Sequence, residues 1–194
     1  MKKVLGITGG TGSGKSTVSQ ILKANDAKII DADLVARKIV MPSMPALAEI
    51  KEAFGEEVIL PDGTMHRKKV GEIVFSDNEK LSILNNITHK YIIAEIKSFL
   101  NENDGFLVVD AALLFQTDLF KLCDKTICVL APQNLRQKRI EKRDNLSSEH
   151  AKNRISSQES EDYYRQKADY ILENDGSLED LKRKIEEIIC KEIM

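Results

Sequence analysis

Nine residues, Gly9 to Thr17, read GGTGSGKST and follow directly on the aliphatic run Lys3 to Thr8. Four glycines crowded between Gly9 and Gly14 favour neither helix nor strand, because each loses more backbone freedom there than any other residue. Beyond them Val18, Ile21 and Leu22 return at helical spacing. The spacing therefore predicts strand, loop, helix, with the helix from Ser16 to Ala24. A loop so poor in side chains lets several backbone N–H groups converge without a Cβ in the way, and a helix beginning at its end adds a positive pole. Such an arrangement holds an anion.

The same residues satisfy G-x-x-x-x-G-K-[ST], with Gly9 first and then Gly14, Lys15 and Ser16. Gly12, Ser13 and Gly14 supply the cradle. Lys15 can bridge the outer two phosphates, the Ser16 hydroxyl can ligate Mg²⁺, and Thr17 suits the inner phosphate. The pattern implies a bound nucleoside triphosphate but not what becomes of it.

Acids bear on that question. Phe106-Leu-Val-Val-Asp110 reads as a buried strand ending in a carboxylate, either a Mg²⁺ contact or an ordinary turn acid. Ala27 to Ile30 is a further short strand ending in Asp31-Ala32-Asp33, with Asp33 near the start of a helix. Asp33 is either a helix cap or the base that orients an acceptor alcohol and takes its proton. Arg139 and Arg143 are four apart and share a helix side, so they either form a solvated face or close together over a triphosphate. His66, His89 and His150 have no metal-ligand spacing; His89, expected at the start of a helix, is structural or a substrate contact.

Short buried strands recur at Lys125 to Leu130 and Tyr170 to Leu172, alternating with amphipathic helices, and predict a three-layer α/β fold with a mainly parallel sheet. Residues 41–104 read as a helical insertion. Residues 133–166 read as a charged hairpin of two helices outside the core, broken near Asn145-Leu146-Ser147. The nucleotide core then comprises residues 1–40, 105–132 and 167–194. A net charge of −2 gives no general affinity for nucleic acid or membranes. The three cysteines, Cys123, Cys128 and Cys190, are odd in number and form no CxxC pair; they suggest packed, reduced thiols and a cytoplasmic address. No obligatory protein partner is indicated.

With these residues in view the chain resembles the dephospho-coenzyme A kinase family over essentially its whole length. Gly6 to Thr17 and the Asp31-Ala32-Asp33 triplet look like that family's two N-terminal signatures. Asp62-Gly63 with Arg67, Val74-Phe75 with Asp77, His89, Leu113-Leu114-Phe115, Arg139 with Arg143, Gln158, Ala168-Asp169, and Asn174 with Gly176 match in order. The resemblance implies a P-loop kinase fold with a helical acceptor domain and a lid. It implies transfer of the ATP γ-phosphate, with Mg²⁺, to the ribose 3′-hydroxyl of dephospho-coenzyme A. Asp33 becomes the acceptor-side base, and Asp31, Arg67 and His89 join it in holding the acceptor. Lys15 and Ser16 become the phosphate and Mg²⁺ contacts, with Asp110 on the metal. Arg139 and Arg143 become the lid cations, and the turn at Asn174 and Gly176 lies near the adenine.

The chain departs from the family pattern at Lys90 (usually proline), Ala112 (proline), Gln116 (glutamate) and Arg136 (glutamine). Two other functions share the phosphate-loop residues: a kinase for another small alcohol or nucleotide, and a nucleotide-dependent switch. No Asn-Lys-x-Asp or Thr-Lys-x-Asp guanine-reading motif accompanies the loop.

Overall fold

The structure, a computed structural model, describes residues 2–193. Strands β1 (Lys3–Thr8), β2 (Lys28–Asp31), β3 (Phe106–Asp110), β4 (Lys125–Leu130) and β5 (Tyr170–Glu173) form one sheet in the order β2-β3-β1-β4-β5. β1 pairs in parallel with both β3 and β4, and β4 in parallel with β5. The mainly parallel α/β sheet expected from the sequence is thus what the chain forms. β1 lies in the middle because its residues suit burial on both sides: Val4 to Thr8 are all buried. In such sheets the ligand crevice opens at the carboxyl ends of the strands, near the point where strand order reverses. The glycine loop leaves β1 at that end.

Two compact units divide the chain, one Met1–Ile30 with Asn103–Met194, the other Asp31–Glu102. In the first, helices α1 (Lys15–Ala24) and α9 (Leu178–Ile193) contribute to the main core. Val18, Ile21 and Leu22 from α1 meet Leu5, Ile7, Val108, Ile127 and Val129 from the strands and Leu181 and Ile185 from α9. The Ser177 hydroxyl caps α9, accepting from Asp180 N–H at 3.1 Å. The second unit is helical and begins at Asp31, not at residue 41, so that α2 (Ala32–Lys38) belongs to it and not to the nucleotide core. Its α2, α3 (Pro45–Phe54) and α4 (Arg67–Phe75) all pack against the long α5 (Asn78–Glu102). Pro45 opens α3, where its missing N–H is no loss. Asp77 caps α5 by accepting from Glu79 and Lys80 N–H at 3.0 and 3.2 Å.

Four local expectations need correcting. The charged stretch holds three helices, α6 (Gln133–Asp144), α7 (Ser148–Ser156) and α8 (Glu161–Lys167). Its second break comes where Ser160 accepts from Tyr163 N–H at 3.2 Å and Glu161 and Asp162 begin a new first turn. Nor is the stretch wholly outside the core, since Arg136, Ile140 and Tyr164 are buried; Ile140 also packs with Ala151 and Ile155 in a small core of its own. His89 lies near the middle of α5, not at a helix start, because Asp77 sets the helix start well before it. Cys190 is exposed on α9, whereas Cys128 is buried and Cys123 half-buried; burial pushes both latter thiols up to about 12.

Asp169, just before β5, ties that strand to β4. Its Oδ2 accepts from Thr126 N–H at 2.8 Å and from the Thr126 hydroxyl at 2.7 Å, and its own N–H donates to that hydroxyl at 3.1 Å. Burial alone would raise the carboxyl's pKa. The Thr126 donors and the Lys125 ammonium at 3.2 Å outweigh burial and hold it below the ordinary carboxylate value. A carboxylate depressed on folding contributes fully above its unfolded value of about 3.9 and loses that contribution as pH falls through the lower folded value. Asp169→Asn should therefore lower the thermal midpoint at pH 7. The gap to the unsubstituted protein should narrow below about pH 4, as thermal unfolding across pH will show.

Candidate active site

The loop's conformation is set where α1 begins. Gly14 caps α1 in the left-handed region at φ 98°, and Thr17 and Val18 N–H return to its carbonyl at 2.9 and 3.1 Å. An ideal Cβ on Gly14 would lie 2.1 Å from Asn174 Nδ2. Both the backbone angle and the neighbour demand glycine there. Ser13 N–H closes a turn onto Gly10 O at 3.1 Å.

Side chains from distant parts of the chain satisfy the loop's carbonyls. Thr11 O accepts from Arg136 Nε at 3.0 Å. Gly12 O and Ser13 O each accept from Arg139 Nη1 at 3.2 Å, and Ser13 O also accepts from Asn174 Nδ2 at 2.6 Å. Arg139 Nη2 reaches Asn174 O at 3.4 Å. Asn174 is itself fixed by its N–H on Leu130 O at 2.7 Å, at the end of β4. Gln158 Oε1 accepts from Thr11 N–H at 2.9 Å and from Arg136 Nη2 at 2.6 Å. Ser13 Oγ is buried with no hydrogen-bond partner.

At the start of α1, the Lys15 ammonium is paired with Asp110 Oδ1, and both side chains are largely buried. Ser19, one turn further on, donates to Asp110 Oδ2 at 2.6 Å and to Lys15 O at 3.0 Å. Asp110 is placed by register: it ends β3 opposite Ile7 of β1, and Ala111 N–H bonds Ile7 O at 3.0 Å. The Ser16 hydroxyl is exposed in the first turn. Ser16 and Asp110 are hard oxygen donors of the kind Mg²⁺ takes, and Lys15 and Ser19 use only two of the roughly four lone-pair sites on the carboxylate. The donor set fits a cation that draws most of its remaining ligands from phosphate and water.

Of the residues expected from sequence, the structure gathers Gly9, Gly12, Ser13, Gly14, Lys15, Ser16, Thr17, Asp110, Arg139 and Asn174 in or around one loop. Gly176 lies just beyond, against Asp180. Arg143 is mostly exposed, held by Asp144 at 2.7 and 2.9 Å, with a long 3.5 Å contact to the Thr11 hydroxyl. Asp31, Asp33, Arg67 and His89 belong to the second unit. There the cap of α2 is Asp31, not Asp33: Asp31 Oδ1 accepts from Asp33 and Leu34 N–H at 2.8 and 3.0 Å. Asp33 and Arg67 are exposed and His89 half-buried. Lys90, the departure beside His89, donates to Glu49 at 2.7 Å, where Tyr91 also donates at 2.5 Å. Sequence reasoning missed the roles of Ser19, whose i+4 spacing from Lys15 was a signal, and of Arg136.

A parallel sheet of this strand order, with its glycine-lysine loop after the central strand and an acid ending the neighbouring one, defines the P-loop kinases. The solved shikimate kinase from Acinetobacter baumannii, in complex with shikimate, shares the fold at TM-score 0.57 and 17% identity, over 98% of this chain and 94% of its own. The sequence profile of dephospho-CoA kinase matches residues 3–180. A dephospho-CoA kinase from Bacillus licheniformis is 39% identical over 193 residues, covering 97% of this chain and 96% of the relative. The solved dephospho-CoA kinase from Campylobacter jejuni superposes at TM-score 0.70 with 33% identity, over 98% of this chain and 97% of its own. The chain belongs to the dephospho-CoA kinase family.

Gly14→Ala should be the most damaging single methyl in the loop. The left-handed angle alone costs about 1–3 kcal/mol for a residue with a Cβ, and the contact with Asn174 adds to it. Thermal unfolding should show the loss, and calorimetry should show ADP binding reduced beyond detection. An unchanged ADP affinity would contradict the loop geometry.

Proposed function

We propose that this chain transfers the γ-phosphoryl group of ATP to the ribose 3′-hydroxyl of dephospho-coenzyme A, giving coenzyme A and ADP in the last step of coenzyme A synthesis. Family membership over residues 3–180, with the glycine-lysine loop intact, carries this reading. Phosphoryl transfer asks little covalent chemistry of a protein and much positioning. Loop N–H groups hold the β- and γ-phosphates. Lys15 bridges the outer two, and Thr17 serves the inner one. Kinases of this kind work on ATP with a divalent cation, which we take to be Mg²⁺, held by Ser16 and Asp110. When bound, it offsets charge on the β- and γ-phosphates and on the leaving oxygen.

On the acceptor side, the Asp33 carboxylate orients the 3′-hydroxyl and takes its proton as the new P–O bond forms and the bond from the γ-phosphorus to the bridging oxygen breaks. The match of Asp31-Ala-Asp33 to the family's second signature supports this role, as does the exposure of Asp33 in the first turn of α2. Asp31, committed to capping that turn, fixes the backbone on which Asp33 stands. Arg67 and His89 contact the acceptor, which the helical insertion of residues 41–104 receives. Residues 133–166 act as a lid, with Arg139 and Arg143 supplying cations at the nucleotide. The turn at Asn174 and Gly176 receives the adenine.

Among the described residues no helix is long and apolar enough to cross a membrane. We read the protein as a cytoplasmic enzyme whose partners are its two substrates, with neither nucleic acid nor an obligatory protein partner.

Mass spectrometry should detect coenzyme A formed from dephospho-coenzyme A and Mg²⁺-ATP. Phosphorylation of a nucleoside monophosphate instead would overturn the acceptor. Asp33→Asn should lower kcat by about 10²–10⁴-fold with ADP affinity held within about threefold, because the residue acts on the acceptor. A loss of nucleotide binding alone would move Asp33 to the metal. Lys15→Ala should nearly abolish turnover.

A further inference from the structure

Arg136 departs from the family pattern, and its surroundings are unusual for a guanidinium. It is 8% exposed, yet both its hydrogen-bond acceptors, Thr11 O at 3.0 Å and Gln158 Oε1 at 2.6 Å, are neutral. Gln158 Oε1 takes Thr11 N–H at the same time, at 2.9 Å. Arg136 therefore grips Thr11 at both its backbone polar groups, directly at the carbonyl and through Gln158 at the N–H. The space for the grip is the missing side chain of Gly10, whose ideal Cβ would lie 2.5 Å from Arg136 Nη2 and 2.9 Å from Gln158 Oε1. The next glycine is pressed by the same residue: a Cβ on Gly12 would lie 2.7 Å from Arg136 O. Burial pulls the guanidinium below its ordinary pKa, the sign of a cation kept out of water at some cost.

We infer that Arg136 is a positioning residue for the nucleotide: with Gln158 it locks the tip of the loop, at Thr11, in the conformation that receives the phosphates before nucleotide arrives. The inference rests on the reading of Gly9–Thr17 as the nucleotide site. A flat fork of donors is needed, because one plane must reach Thr11 O by Nε and Gln158 by Nη2. A lysine carries the charge but cannot span both. A loop that is competent only part of the time binds with an affinity reduced by that fraction. Losing the lock should thus appear in nucleotide affinity and leave the acceptor untouched.

Calorimetry of ADP binding, with KM values for both substrates, tests this on Arg136→Gln, Arg136→Lys, Gln158→Ala and Gly10→Ala. Lys138→Gln, an exposed cation on the same helix, is the charge control. Unsubstituted protein that binds ADP but makes no coenzyme A would defeat the proposed acceptor and leave this inference standing. The expectation for Arg136→Gln is ADP affinity and KM for ATP about tenfold worse, with KM for dephospho-coenzyme A within about twofold. Arg136→Lys should not restore affinity, and Arg136→Gln combined with Gln158→Ala should be no worse than either alone, since both remove one lock. Gly10→Ala attacks the grip with every donor retained, so the test survives if an Arg136 variant fails to fold. Full rescue by lysine, additive losses, equal losses in both KM values, or unchanged ADP affinity would each overturn the assignment.

Discussion

A backbone loop can turn several N–H groups toward one ligand only if its carbonyls are satisfied on the other side. That constraint governs this protein. Thr11, Gly12 and Ser13 each have a carbonyl taken by a side chain from more than a hundred residues away: Arg136, Arg139 or Asn174. A buried carbonyl left without a donor would cost the free energy of a lost hydrogen bond and would draw the loop into some other turn. Arg136, Arg139 and Asn174 therefore form the floor of the loop. The sheet brings them there: β4 and β5 lie on one side of β1 and carry α6 and the Asn174 turn to its carboxyl end.

On the other side of β1, β3 carries Asp110 to the same level. Register alone does this, since Ile7 and Asp110 are paired residues of two parallel strands. A slip of one residue along β3 would turn the carboxylate to the opposite face. The continuous burial of both strands holds the register, so the hydrophobic core and the position of the acid are one and the same specification.

Much of this was legible in the sequence because it was local. Gly9 to Thr17 declares a loop between a strand and a helix, and β1 and β3 declare themselves by their aliphatic runs. What escaped depended on partners far along the chain or on competing readings of polar residues. The stretch from Ser156 to Ser160 looked like part of one charged helix, although Ser160 followed by two acids carries a start signal of its own. Asp33 reads as the cap from sequence because the strand's expected end is Ile30; the strand runs through Asp31, which caps the helix instead. His89 needed the start of α5 to be placed. Arg136 was invisible as a loop contact, because nothing in Gln-Asn-Leu-Arg-Gln-Lys distinguishes a buried guanidinium from a solvated one.

With Lys15 and Asp110 in the roles proposed above, the ion pair between them makes nucleotide binding an exchange. Without nucleotide, the lysine already has an anionic partner, and Ser19 steadies that partner from the other oxygen. A phosphate arriving at Lys15 would take the ammonium from a carboxylate that would then want a cation, in a place where burial makes an uncompensated charge expensive. On that reading a divalent cation at Asp110 and a phosphate at Lys15 would each make the other's arrival less costly.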